Sequence, residues 1–147
     1  MQAEPIVIER VYDAPAEKVW QAITDKQQMK EWYFDFDEFK PEVGFEFTWY
    51  GDDGEKKWLH AGKITEVVPG EKITYSWRYP GYSGESFVTW ELFPEGNKTR
   101  LKLTHAGLET FPSHEVPGLA KPNFVEGWTY FVGTALKDFV EKRPAKK

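Results

Sequence analysis

The sequence predicts an α+β domain: a curved antiparallel β-sheet wrapped around a long C-terminal helix, with two short helices after the first strand. Three observations carry this reading. Residues 123–142 (NFVEGWTYFVGTALKDFVEK) form the longest helical pattern in the chain. Phe124, Val125, Trp128, Phe131, Val132, Ala135, Leu136, Phe139 and Val140 fall within about half the circumference at ~100° per residue. Before that helix, apolar residues recur with period two between short turns, which makes a meander of antiparallel strands rather than βαβ units. Between the first strand and that meander lies a helical stretch.

In chain order, Ile6 to Tyr12 is β-branched and bounded by Pro5 and by Asp13-Ala14-Pro15, so it reads as a strand. Pro15 suits a first helical turn, with Asp13 or Ala14 near the cap. Ala16, Val19, Trp20 and Ile23 make one helical stripe; Thr24-Asp25 then restarts capping for a second short helix carrying Met29 and Trp32. From Tyr33 the period becomes two. Phe36 to Phe39 reads as a short strand, and Phe45, Phe47 and Trp49 alternate with Glu46, Thr48 and Tyr50. Trp58 to Val68 is a strand with Gly62 as a candidate bulge. Ile73, Tyr75, Trp77 and Tyr79 alternate with Thr74, Ser76 and Arg78; Val88, Trp90 and Leu92 with Thr89 and Glu91; Leu101 and Leu103 with Arg100 and Lys102. Turns at residues 51–54, 69–72, 80–84 and 94–97 separate these runs.

The polar face, with Glu46, Arg78, Glu91, Arg100 and Lys102, reads as a solvated surface of cross-strand pairs. Leu108 to Pro122 holds three prolines and reads as an irregular segment packed through Leu108, Phe111, Val116 and Leu119, a static loop or a lid. Asn123 with Glu126 suggests a capping box for the final helix, and Pro144 a stop.

The 147 residues suggest one domain over 1–147, with a core of about 6–142. The net charge of -5, without a Lys/Arg stripe, argues against a nucleic-acid partner. There is no cysteine, which excludes disulfides, thiolate metal sites and a Cys nucleophile. No apolar run reaches the ~18 residues of a membrane span, and the N-terminus has no secretory pattern, so a cytoplasmic protein is expected.

Aromatic residues make up 17% of the chain, with 7 Trp, 7 Tyr and 11 Phe. Two readings account for them: a bulky aromatic core, or an aromatic-walled pocket. The ring positions expected to face the helix are Trp32, Phe45, Phe47, Trp49, Tyr75, Trp77, Trp90, Trp128 and Phe131, joined by Ile64 and Val132. His105 continues the inward Leu101-Leu103 alternation; it is a structural histidine, a polar handle for a ligand, or a base. With His60 and His114 it fits no metal spacing, and the serines lack a nucleophile-elbow context. No catalytic residue, metal or cofactor is assigned.

An ordered set of motifs then narrows the field. Asp13-Ala14-Pro15 precedes Val19-Trp20, Ala22 and Thr24-Asp25. Trp32, Val43-Gly44-Phe45, residues 62–67 (GKITEV) and Tyr75-Ser76-Trp77 follow. Thr99-Arg100-Leu101, Leu103-Thr104-His105 and Gly127-Trp128 complete the set, which spans about Ile6 to Glu141. It resembles the family of activator-of-heat-shock-protein-90-ATPase homologues. That family lies in the SRPBCC superfamily, also called START-like or birch-pollen-allergen-like, with the helix-grip fold. The resemblance implies a small hydrophobic ligand, lipid-like or aromatic, held between sheet and helix. In a minority of the superfamily it implies cyclase or hydrolase chemistry on that ligand, for which His105, Tyr75 and Tyr79 are the ionisable candidates. It also implies a chaperone partner and a stress-response role, as for the eukaryotic founder, which has an additional N-terminal chaperone-binding domain for which this chain has no room. Single-domain members are mostly bacterial, and a monomer or homodimer is expected.

Overall fold

The computed structural model describes residues 5–34, 36, 38–52, 57–112 and 121–141. Its strands are β1 (Ile6–Tyr12), β2 (Glu46–Asp52), β3 (Lys57–Val68), β4 (Lys72–Trp77), β5 (Ser86–Glu95) and β6 (Lys98–Ala106). They form one antiparallel sheet in the order β1-β6-β5-β4-β3-β2. Two short helices, α1 (Ala16–Thr24) and α2 (Lys26–Trp32), follow β1. The last helix comprises α3 (Lys121–Tyr130), a π-helical turn (Phe131–Ala135) and α4 (Leu136–Glu141). This is the expected helix-grip α+β architecture.

The period-two pattern places the core as expected. Phe47 and Trp49, Ile73, Tyr75 and Trp77, Val88, Trp90 and Leu92, and Leu101 and Leu103 are all buried on one face of the sheet. On the other face Arg100 pairs with Glu9 at 2.6 Å and with Glu95 at 3.2 Å. Lys102 stands in register between Glu9 and Glu91.

Several local expectations are corrected. Phe36 and Phe39 are both buried, but their backbone is neither strand nor helix; a strand would have turned Phe39 to the opposite side from Phe36. The bulge in β3 falls at Thr65, because Ile64 pairs with Tyr75 while Glu66 pairs with Thr74. Gly62 instead marks a close approach: a Cβ there would lie 2.7 Å from the Ser76 carbonyl oxygen and 2.9 Å from the Phe47 ring. Ser76 is buried rather than solvated, and its hydroxyl accepts the Lys63 N–H at 2.9 Å. Pro15, not Asp13 or Ala14, is the N-cap of α1. The Asp13 N–H is taken up by Glu141 at 2.8 Å, which joins the start of α1 to the end of α4.

The final helix begins at Lys121, so Asn123 is not its cap, and Pro122 sits in its first turn, where its missing N–H costs nothing. The irregular segment includes a 3₁₀ turn at Leu108–Thr110, with Leu108 and Phe111 buried. His114, Val116 and Leu119 lie outside the described residues. The π-helical turn has a visible tertiary partner. Tyr12, fully buried on β1, donates its hydroxyl proton to the Val132 carbonyl at 2.6 Å. Gly133 faces Arg10 of the same strand, with room for the arginine at 3.5 Å from a notional Cβ. Strand and helix are thus pinned together at the point where the helix is irregular.

Candidate functional site

The space between sheet and helix is built of rings. On the sheet side, Phe45, just before β2, and Phe47 and Trp49 on β2 stack in a row, with Phe47 and Trp49 5.2 Å apart at 18°. The next row, on β4, meets them edge-on: Phe47 against Tyr75 at 5.4 Å, and Trp49 against Trp77 at 5.2 Å. From the helix, Trp128 contacts Trp77 at 5.4 Å, Trp90 at 5.6 Å and His105 at 5.8 Å. Trp32, Trp77, Trp90, His105, Trp128 and Phe131 thus lie in one connected cluster of rings. Ile64 and Val132 are fully buried in the same core.

The β2 rings do not meet the helix in this way. Their ring contacts from the facing side come from the segment after α2: Phe34 and Phe36 on Trp49, Phe36 and Phe39 on Phe47, and Phe39 on Phe45. The last helix covers the sheet only as far as the β4 row. The rings of Phe34, Phe36 and Phe39 close the rest.

Two residues that sequence reasoning missed hold the centre. Tyr33 touches Trp90 at 6.0 Å, Trp128 at 6.1 Å and Phe131 at 5.0 Å. Phe34 touches Trp49 at 5.9 Å, His60 at 5.8 Å and Phe131 at 5.3 Å. Both are only half-buried. The signal for them was the run Trp32-Tyr33-Phe34, three successive rings that no single helix face or strand face can bury.

Polar groups in this interior are mostly paired. Trp128 donates its indole N–H to His105 Nδ1 at 2.9 Å. That makes Nδ1 the acceptor, so the neutral ring carries its proton on Nε2 and donates it to Ser86 Oγ at 2.7 Å. Ser86 in turn donates to the Trp77 carbonyl at 2.9 Å. Burial pushes the His105 pKa down to about 3, so the chain of bonds is neutral at physiological pH. His60 is likewise buried and lowered to about 4 by desolvation, with its Nδ1 2.9 Å from the Trp58 carbonyl.

The Tyr75 hydroxyl accepts the Trp90 N–H at 3.0 Å and lies 3.2 Å from the Tyr33 hydroxyl. Burial raises Tyr75 to about 12 and Tyr33 well above its ordinary value. Tyr33 is half-buried as a residue, but its hydroxyl reaches inward to Tyr75. Tyr79, raised by desolvation, accepts the Trp77 N–H at 2.9 Å. The site thus offers flat apolar walls and neutral hydrogen-bonding groups.

A separate open groove of about 750 Å³ runs along the outer face of the last helix, beside Pro122, Val125, Glu126, Thr129, Tyr130 and Thr134. Val125 (41% exposed) and Tyr130 (57%) are its large apolar side chains. Among the described residues no helix is long and apolar enough to cross a membrane.

The structure is similar to protein MLL2253 from Mesorhizobium loti, with 26% identity and a TM-score of 0.76 over 95% of this chain and 98% of that one. It is also similar to CalU16 from Micromonospora echinospora, with 28% identity and a TM-score of 0.69 over 94% and 76% of the two chains. DynU16, a putative protein in the dynemicin biosynthetic locus, shares the fold at 21% identity and a TM-score of 0.75 over 95% of this chain, which spans 48% of DynU16. No curated protein matches the sequence. Residues 13–141 match the family described as Activator of Hsp90 ATPase homolog 1-like protein. With that match over most of its length and the helix-grip architecture beneath it, the chain belongs to the Activator of Hsp90 ATPase homolog 1-like family, within the SRPBCC-type proteins.

Proposed function

We propose that the protein binds a small hydrophobic molecule, aromatic or lipid-like, between the sheet and the last helix. The observation that carries this reading is the convergence of Tyr33, Trp77, Trp90, Trp128 and Phe131 around one centre. Flat side chains can part and re-stack around a flat ligand, and rings from an irregular segment move at less cost than rings on a strand. In the structure Tyr33 and Phe34 fill that centre, so binding requires them to swing out. His105 then serves to hold Trp128 in place, since both its ring nitrogens are already engaged. Trp32, Phe45, Phe47, Ile64 and Val132 complete the walls.

The ionisable candidates favour binding over catalysis. Burial keeps the Tyr75 and Tyr79 hydroxyls protonated, and the one free lone pair of the neutral His105 ring already accepts the Trp128 N–H, so none stands ready as a base at neutral pH. The test is a ¹H–¹⁵N NMR titration with naphthalene, fluorene and a medium-chain fatty acid. Shifts clustering at the indoles of Trp77, Trp90 and Trp128 are expected for at least one of them; shifts scattered over the surface would sink the reading.

A second reading, association with a chaperone, has one observation behind it: the apolar groove on the outside of the last helix. If it holds, Tyr130→Glu abolishes stimulation of a chaperone ATPase and leaves naphthalene binding unchanged. An ATPase indifferent to the wild-type protein removes it.

A further inference from the structure

Five tryptophans are buried, and four of them have an acceptor for the indole N–H. Trp32 donates to the Ala22 carbonyl at 2.8 Å, Trp77 to Tyr79 at 2.9 Å, Trp90 to Tyr75 at 3.0 Å and Trp128 to His105 at 2.9 Å. Trp49 is the exception. It is 3% exposed, and its Nε1 is fully buried with no acceptor among the described residues. A buried donor without a partner forfeits its hydration and receives nothing in return, so native interiors rarely keep one without a use for it.

The surroundings of Trp49 explain why the protein leaves it unpaired. Its neighbours are the rings of Phe34, Phe36, Phe47, His60 and Trp77. His60 stacks on it at 16°, so the in-plane lone pairs of the imidazole do not lie along the indole N–H. Aromatic faces are weak acceptors. Of these neighbours only Phe34 is half-buried and outside any helix or strand. Its ring is packed down onto the glycine of β2: a Cβ at Gly51 would come within 3.1 Å of it. When Phe34 leaves, the space beside Trp49 opens toward Trp77 and Phe131, which its ring now contacts.

We infer that the Trp49 indole N–H is the polar handle of the ligand site, donating to one neutral acceptor oxygen, of carbonyl type, on an otherwise apolar planar ligand that displaces Phe34. This rests on the binding reading above and narrows its ligand class. The oxygen is neutral because the buried polar residues are Thr24, His60, Ser76, Ser86, Thr99 and His105, with no Lys or Arg among the described ones. A carboxylate placed there would be desolvated without a cation.

The probes are 2-acetylnaphthalene, its near-isostere 2-isopropenylnaphthalene, and 2-naphthoate, titrated into the ¹⁵N-labelled wild-type protein. The ketone is expected to bind tighter than the alkene by on the order of tenfold, the return on satisfying one buried donor. It is expected to move the Trp49 indole resonance downfield, and the naphthoate is expected to bind more weakly than the ketone. Trp49→Phe should bring ketone and alkene within about twofold of each other while both still bind. If ketone and alkene bind the wild type alike and leave the Trp49 resonance in place, the handle is wrong and the apolar cavity stands. If the naphthoate binds tightest, the neutral-acceptor class is wrong. If none of the three binds, handle and cavity fall together. Should Trp49→Phe not fold, the wild-type resonance and the ketone-to-alkene ratio decide alone.

Discussion

The two ends of the interior are built on different rules. At one end α4 packs against α1, α2 and β1, and α1 lies over β5 and β6. The side chains buried there include Val19, Ile23, Leu92, Leu101, Leu136 and Val140, branched aliphatics on regular backbone. At the other end the facing layers are rings, Trp49, Trp77 and Trp128 against Tyr33 and Phe34, and the last two come from irregular backbone. Branched aliphatics interlock, so removing one leaves a hole that its neighbours cannot fill. Plates can slide and turn, and their N–H and O–H tips set a few preferred positions. The difference separates a part of the molecule that holds the fold from a part able to change its contents.

The contrast is broken most directly by two truncations. Leu136→Ala removes a fully buried side chain at the aliphatic end and should lower the unfolding free energy by about 3 kcal/mol. Phe34→Ala removes a larger but half-buried ring and should cost only about 1–2 kcal/mol. It should also strengthen naphthalene binding, because the displaced ring is already gone. Urea unfolding of both variants measures this. Equal costs would mean that the two ends are one rigid core.

Acid sharpens the contrast, because His60 and His105 both belong to the ring end. An unfolded histidine titrates near ~6.5, while the folded ones are lowered to about 4 and about 3 by desolvation. Between those values the unfolded chain binds more protons than the folded one, so their contribution is fully present above the unfolded pKa and lost as pH falls. The loss is about 1.4 kcal/mol per pH unit for each histidine, or about 2 kcal/mol each by pH ~5. Urea unfolding at pH 7 and pH 5 should show it. His105→Gln keeps an acceptor for Trp128 and a donor for Ser86 but cannot protonate. Its stability should fall less steeply with acid than that of the wild type. A slope unchanged in the variant would show that His105 is not the buried neutral group described.

The same division governs what the sequence made readable. Phe47/Trp49, Ile73/Tyr75/Trp77, Val88/Trp90/Leu92 and Leu101/Leu103 announce themselves, since a sheet with one buried face imposes period two on every strand. The last helix is legible for the equivalent reason at period 3.6. Tyr33 and Phe34 were not, because a ring held by tertiary contacts on irregular backbone leaves no periodicity. The π-helical turn carries the Tyr12 hydroxyl on its Val132 carbonyl, a contact between residues 120 apart in sequence. The ring list from the sequence named Trp49 as a wall but could not know its N–H was unpaired. Whether Trp77, Trp90 and Trp128 find acceptors depends on Tyr79, Tyr75 and His105, and only the assembled sheet brings those to them.

Tyr33→Phe tests the finest part of the contrast. The variant keeps the ring and deletes the hydroxyl that lies 3.2 Å from that of Tyr75. The separation is long for a bond between hydroxyls, so the contact is a weak one. Tyr75 still accepts from Trp90, so the loss should stay within about 1 kcal/mol. Ring packing against Trp90, Trp128 and Phe131 is untouched. What changes is the latch that holds the ring inward. Naphthalene affinity should rise by about two- to fivefold, which corresponds to ~0.4–1 kcal/mol. A stability loss as large as that of Leu136→Ala would place Tyr33 in the fixed core. An unaltered affinity with the expected small loss would mean that the ring, and not its hydroxyl, sets the cost of opening.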